Sequence, residues 1–186
     1  MTVFVTGGCK NGKSTFALRQ ALKLAGGGPH YYIATLIPGD EEQRECVRKH
    51  QAAREGMGFV TVECPRDLPP CPMGADADGT FLLDSVTALL MNELYGFGVQ
   101  PDAAAADRVA ECLDKFLKTV KYAVIVSDYI YADGVEYTPY SDAFVRSLAY
   151  LDRFLAAKCD CVVEICGGIA TVHKGVLPEE EKLSCI

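Results

Sequence analysis

The sequence predicts an α/β protein: a mostly parallel β-sheet flanked by helices and finished by a C-terminal β-hairpin. Three observations carry that prediction. Short apolar runs alternate with longer segments whose hydrophobic residues recur at helical spacing, as parallel sheets require. The first such pair is joined by a glycine-rich loop, Gly7 to Ser14. The last two apolar runs are separated only by Cys166-Gly167-Gly168, which suits a tight antiparallel turn.

The elements follow in order. Thr2-Val3-Phe4-Val5-Thr6 reads as a buried strand, and Phe16, Leu18, Ala21, Leu22 and Ala25 mark the apolar side of the helix after it. Gly26-Gly27-Gly28-Pro29 breaks the chain before a strand over residues 30–35. Residues 40–55 are charged and mostly polar, which predicts an exposed helix, and 59–63 predict another strand. Residues 65–79, with Pro69, Pro70, Pro72 and Gly74, form a surface loop. Thr80-Phe81-Leu82-Leu83-Asp84 is a strand ending in a carboxylate, followed by a helix over 85–94. Residues 102–118 are amphipathic, with Ala106, Val109, Ala110, Leu113, Phe116 and Leu117 on one side. Residues 122–127 are a strongly apolar strand, and 128–139 an irregular connection rich in Tyr, Gly and Asp. A helix over 141–158 takes Ser141 as its N-cap. Residues 161–165 and 169–173 are the hairpin strands, and the tail from Pro178, with three glutamates, reads as a solvated end. No repeat or linker interrupts this order, so residues 1–186 are expected to form one domain.

Composition excludes several function classes. Hydrophobic residues make up 49% and charged ones 23%, a balance that argues against disorder. The net charge of −7, with no dense Lys/Arg block, disfavours nucleic acid as a partner. No apolar run reaches the roughly 18 residues of a membrane span. The first apolar stretch ends at Thr6, too short for a secretory signal, so a cytoplasmic protein is expected. The nine cysteines are odd in number and lack C-x-x-C spacing, which suits reduced thiols used as small hydrophobes. Cys159-Asp160-Cys161 comes nearest to a metal signature, but two ligands do not close a tetrahedral zinc site. Residues two apart on a strand also face the same way without any metal.

Gly7-Gly8-Cys9-Lys10-Asn11-Gly12-Lys13-Ser14 has the spacing G-x-x-x-x-G-K-[ST] of a P-loop, between a strand and a helix as that loop requires. Glycines let the backbone curl around phosphate oxygens, amide N–H groups and the helix N-terminus supply positive potential, and Lys13 adds a mobile cation. Gly7, Gly8, Cys9, Lys10, Asn11, Gly12, Lys13, Ser14 and Thr15 are therefore the candidate nucleotide-binding residues, with Ser14 placed to ligate Mg²⁺. The expected ligand is a nucleoside triphosphate, ATP or GTP. Cys9 sits where N–H donors favour a thiolate. The metal needs an acid as well, and Asp84 stands at the strand end where parallel sheets bind ligands. The alternative is that Asp84 caps the following helix.

On the helix expected over 40–55, His50 and Arg54 lie one turn apart on one face, and Cys46 one turn the other way. Like charge from Arg48, Lys49 and Arg54 favours a neutral imidazole, whose free nitrogen can attack phosphorus while guanidinium groups hold phosphate oxygens. The plain alternative is a solvated histidine on an exposed helix.

Several segments occur in a telling order: the phosphate loop, Tyr32-Ile33-Ala34-Thr35, His50-x-x-x-Arg54, Leu82-Leu83-Asp84-Ser85-Val86-Thr87 with Asn92, the strand ending at Ser127, and the helix from Phe144 to Ala157 before Gly167. This set resembles the bifunctional adenosylcobinamide kinase / adenosylcobinamide-phosphate guanylyltransferases of cobalamin (vitamin B12) biosynthesis, from about Val3 to Lys174. The resemblance implies a RecA-like P-loop NTPase fold and a homotrimer. It implies an enzyme that phosphorylates the aminopropanol hydroxyl of adenosylcobinamide with a nucleoside triphosphate. The same enzyme then transfers GMP from GTP to that phosphate through a guanylylated histidine, a covalent route that splits one displacement into two. By the resemblance Lys13 and Ser14 are phosphate and metal ligands, Asp84 is the acid beside the metal, His50 carries GMP, and Arg54 is a nucleotide ligand. The catalytic set is then His50, Lys13 and Asp84.

The chain departs from the family pattern twice. Cys46 stands where an arginine is usual, and Asp128-Tyr129-Ile130-Tyr131 replaces Asn-Glu-Val-Gly. Two other readings stay open: a P-loop kinase of another alcohol without GMP transfer, and a non-catalytic nucleotide-binding relative. The intact trio of Lys13, Ser14 and Asp84 argues against the last.

Overall fold

In the computed structural model, residues 1–96, 100–131 and 138–178 are described. The strands are β1 (Thr2–Gly7), β2 (His30–Ala34), β3 (Val60–Glu63), β4 (Thr80–Asp84), β5 (Tyr122–Val126), β6 (Cys161–Cys166) and β7 (Ile169–Lys174). The helices are α1 (Lys13–Ala25), α2 (Glu41–Arg54), α3 (Val86–Tyr95), α4 (Ala105–Thr119) and α5 (Pro139–Lys158). The strands form one sheet in the order β3-β2-β4-β5-β1-β6-β7. Pairing is parallel except between β6 and β7, the expected hairpin.

Strand alternation divides the core into two faces. Val3 and Val5 of β1, with Leu82, Val124 and Val163, point to one face, where α1 covers them with Ala17, Leu18 and Ala21. Phe4, Phe81, Leu83 and Ile125 point to the other, under Leu89 and Leu90 of α3, Leu113 and Phe116 of α4, and Leu148, Leu151 and Leu155 of α5. Burying both faces explains why the central strands read as continuous apolar runs. Helix α2 is different: Arg54 is its one buried residue, so it lies on the molecule rather than in it.

Caps set the helix ends, and here some expectations are corrected. Asp40 caps α2 by accepting from the Gln43 amide. Helix α5 starts at Pro139, not Ser141, and its cap is Thr138, whose hydroxyl accepts from the Ser141 amide. Proline suits a first helical position because its missing N–H would have no partner there. Helix α4 begins at Ala105 rather than 102, because the Asp102 carboxylate is turned back onto the Ala104 amide. Ala105, not Ala106, is then the buried first-turn residue. Cys159 and Cys161 do not face the same way: Cys159 ends α5 in one core face and Cys161 opens β6 in the other. Burial pushes the Cys159 thiol up to about 12. Residues 132–137 of the expected irregular connection, and 179–186 of the expected solvated tail, lie outside the described residues.

Candidate functional site

The phosphate loop leaves the sheet at Gly7, whose φ is +149° and whose place against the Ile165 carbonyl leaves no room for a Cβ. Lys10 and Gly12 both take left-handed conformations, at φ 58° and 88°, which curl the loop back to start α1. Gly12 occupies the N-cap position without a side-chain cap, so no side chain covers the first amides of α1. Lys13 is the first helical residue and only 6% exposed. Its Nζ donates to the Gly8 carbonyl at 2.7 Å and pairs with Asp128 Oδ1 at 2.8 Å. The segment after β5 is stitched to the same loop: the Tyr129 amide donates to Gly7 O at 3.0 Å, and the Asp128 amide to Thr87 Oγ1 at 2.9 Å.

A second group gathers at the ends of β2 and β4. Their register pairs Ala34 with Asp84, so Tyr32, two residues back, shares a sheet face with Asp84. The Tyr32 hydroxyl donates to Asp84 Oδ2 at 3.0 Å, and His50 Nδ1 of α2 lies 3.5 Å from the same oxygen. Arg54, one turn beyond His50, lays its guanidinium 3.4 Å from the centroid of the Tyr32 ring. Burial, and next the charge of Asp84, push the Tyr32 phenol far up, so it stays a donor. Asp84 is 10% exposed and His50 36%, an acid held inside and an imidazole at the mouth.

The helix after Asp84 is capped by its neighbour. Ser85 Oγ accepts from the Ala88 amide at 3.3 Å, so the Asp84 carboxylate is not spent as a cap. Thr35 braces this corner: its hydroxyl donates to Ser85 O and accepts from Ser85 N, both at 2.8 Å. Asn92 donates to Thr35 O and Pro65 O, also at 2.8 Å each.

These groups line one cleft of about 700 Å³. Cys9, Lys10, Asn11, Gly12, Lys13, Ser14, Thr15, His50, Arg54 and Asp84 all line it, whereas Gly7 and Gly8 do not. The charges around His50 correct the sequence reading. Arg48 pairs with Glu41 and Glu45, Lys49 with Glu45, and Arg54 with the Tyr32 ring, so the charge facing the imidazole is the Asp84 carboxylate. Sequence reasoning gave no site role to Tyr32 and placed the segment from Asp128 only near the nucleotide edge; the structure brings both residues into the cleft. Strand alternation carried a partial signal for Tyr32, two residues before the end of β2, whereas the contact of Asp128 with the loop required β5 to lie beside β1.

Behind Asp128 lies Asp152 of α5, 3% exposed, with Oδ2 accepting from the Tyr131 hydroxyl at 3.1 Å. Burial pushes its carboxyl up to about 6, and the nearby Asp128 charge adds to the rise.

Among the described residues no helix is long and apolar enough to cross a membrane, and no three His, Cys, Asp or Glu side chains group as a metal site.

Residues 3–172 match the family described as cobinamide kinase / cobinamide phosphate guanyltransferase. No curated protein matches the chain. Among solved structures it is similar to the flagellar accessory protein FlaH of Methanocaldococcus jannaschii: TM-score 0.50, 14% identity, 94% of this chain and 78% of that one. It is also similar to a solved ATPase domain, with TM-score 0.50 and 10% identity over 88% of this chain and 68% of that one. A third is the PH0250 protein of Pyrococcus horikoshii OT3, with TM-score 0.50 and 8% identity over 94% and 86%. At these identities the likeness shows the fold alone, the RecA-like P-loop architecture that the sequence implied.

Proposed function

The chain belongs to the cobinamide kinase / cobinamide phosphate guanyltransferase family, and from that membership and the cleft we propose a two-step enzyme of cobalamin biosynthesis. It phosphorylates the hydroxyl of adenosylcobinamide with ATP or GTP, then transfers GMP from GTP onto that phosphate. The observation that carries this reading is the sharing of one cleft by Lys13 and Ser14 with His50, Arg54 and Asp84.

In the first step the P-loop amides and Lys13 hold the β- and γ-phosphates, and Lys13 exchanges its Asp128 partner for them. Ser14 and Asp84 are hard oxygen donors in the same cleft and suit Mg²⁺, which on a nucleotide needs only one or two protein ligands. When bound, that ion neutralises phosphate charge.

In the second step Asp84 faces His50 Nδ1 and keeps the proton there, leaving Nε2 as the nucleophile. The Nε2–P bond forms at the α-phosphorus of GTP as the bond to pyrophosphate breaks. The cobinamide phosphate oxygen then attacks the same phosphorus and frees the imidazole. Leu36, Ile37, Val47 and Met91 give the cleft an apolar wall that supports a bulky corrinoid acceptor. Family resemblance further supports a cytoplasmic homotrimer.

Cys46 in place of an arginine, and the glutamates paired with Arg48 and Lys49, favour a second reading in which only the kinase step operates. Intact-protein mass spectrometry after incubation with GTP and Mg²⁺ separates the two. A gain of one GMP, absent in His50→Ala, is expected; bound nucleotide without an adduct leaves the kinase alone.

A further inference from the structure

We propose that Asp128 is the general base of the kinase step, accepting the proton of the acceptor hydroxyl; this rests on the kinase reading above. The argument is one of position. The carboxylate must stand beside the transferring phosphoryl group, and in a P-loop protein the loop lysine marks that place. Asp128 Oδ1 lies 2.8 Å from Lys13 Nζ, and the residue is 28% exposed, so it opens to the cleft that it lines. Its backbone is fixed from two sides, by its own amide on Thr87 Oγ1 and by the next amide on Gly7 O.

The other acids of the cleft are less well placed. Asp84 is engaged by the Tyr32 hydroxyl and faces His50. Glu63 ends β3, four strand positions from β1, which at about 4.8 Å per strand puts it roughly 19 Å across the sheet from the loop. Asp128 follows β5, the direct neighbour of β1.

The step balances. Nucleotide phosphates draw Lys13 away, which frees Asp128 Oδ1. The acceptor O–H gives its proton to that oxygen as its O–P bond to the γ-phosphorus forms. The γ-phosphorus bond to the bridging oxygen breaks, and the nucleoside diphosphate leaves with the electron pair. An amide at this position accepts no proton, so a chain with asparagine here must release it to solvent or to the phosphate itself.

Asp128→Asn tests this, and because asparagine is the residue of the family pattern the variant is expected to fold. Phosphoryl transfer from ATP to cobinamide, nucleotide affinity by fluorescent-nucleotide titration, and melting temperature are measured for the parent and the variant. The expected result is a kcat lower by about 10²-fold with nucleotide bound as tightly or more tightly, since Lys13 is released. A kcat within threefold of the parent, with only affinity changed, overturns the base and leaves Asp128 a tether for Lys13. A parent that binds nucleotide but phosphorylates no cobinamide removes the kinase reading, and the assignment falls with it.

Discussion

The guanidinium of Arg54 lies 3.4 Å from the centroid of the Tyr32 ring, and the hydroxyl of that ring donates to Asp84 at 3.0 Å. The first contact ties α2 to the sheet, and the second fixes the Tyr32 ring within it. Most of the helix is solvated: its ion pairs are largely among its own side chains, with Glu42 also reaching Lys10 and His50 facing Asp84, and exposed pairs of this kind contribute little to docking in water. Arg54 is thus the one buried residue by which α2 reaches the sheet, one turn beyond His50.

Replacing Arg54 with lysine keeps the charge but loses the planar stack. Stability is expected to fall by about 1–2 kcal/mol, read by urea titration. The GMP adduct on His50 is expected to form about tenfold more slowly. An unchanged adduct rate would show that the stack does not position the histidine.

Tyr32→Phe removes the hydroxyl and keeps the ring under Arg54. The lost hydrogen bond is worth about 1 kcal/mol in stability, so the variant is expected to fold and bind nucleotide normally. Phosphoryl transfer is expected to slow by about tenfold with KM for the nucleotide unchanged, because Asp84 loses its fixed orientation. A rise in KM at constant kcat would point instead to nucleotide binding.

Asp84 and Ser85 are adjacent but answer to different measurements. Because Ser85 carries the cap of α3, Ser85→Ala is expected to cost about 1 kcal/mol in chemical denaturation. Asp84→Asn is expected to cost less than that and to abolish magnesium-dependent turnover. A large loss of stability in Asp84→Asn would mean that the carboxylate is structural.

Asp152 makes stability depend on pH in an unusual direction. Its folded carboxyl sits at about 6, above the ordinary 3.8, so the folded state holds the proton more tightly than the unfolded chain. That contribution is present in full below about pH 4 and is lost as pH rises through 6. The gap of about two units corresponds to about 3 kcal/mol. Asp152→Asn is expected to stabilise the protein at pH 8 by up to that amount, with the gain gone at pH 4. Parallel urea midpoints at both pH values check it, and equal effects at the two would refute the assignment.

Much of the geometry of the candidate site was legible because its parts are local. The Gly7–Ser14 spacing dictates a strand, a tight loop and a helix, and Asp84 falls at a strand end by simple alternation. His50 and Arg54 share a helix face by their spacing alone. What escaped was non-local. The Tyr32–Asp84 bond needs the β2–β4 register, and the Lys13–Asp128 pair needs β5 beside β1; neither adjacency follows from chain order. The start of α5 was misplaced for another reason. Pro139 read as the end of a loop, although proline is as apt to open a helix.

Strand β1 is inserted between β5 and β6, pairing Thr2 with Ala123 and Val3 with Cys161. The ribosome therefore makes the phosphate loop well before either strand that supports it. Such distant pairings are slow to form and late to be rewarded. A nascent chain that stops short of residue 161 carries the whole G-x-x-x-x-G-K-S signature with one flank of its strand unpaired. Nucleotide capture is therefore expected to require that β6 has been made and docked, because Gly7 packs on Ile165 of that strand, and products truncated before residue 161 are expected to be blind to the ligand whose motif they contain.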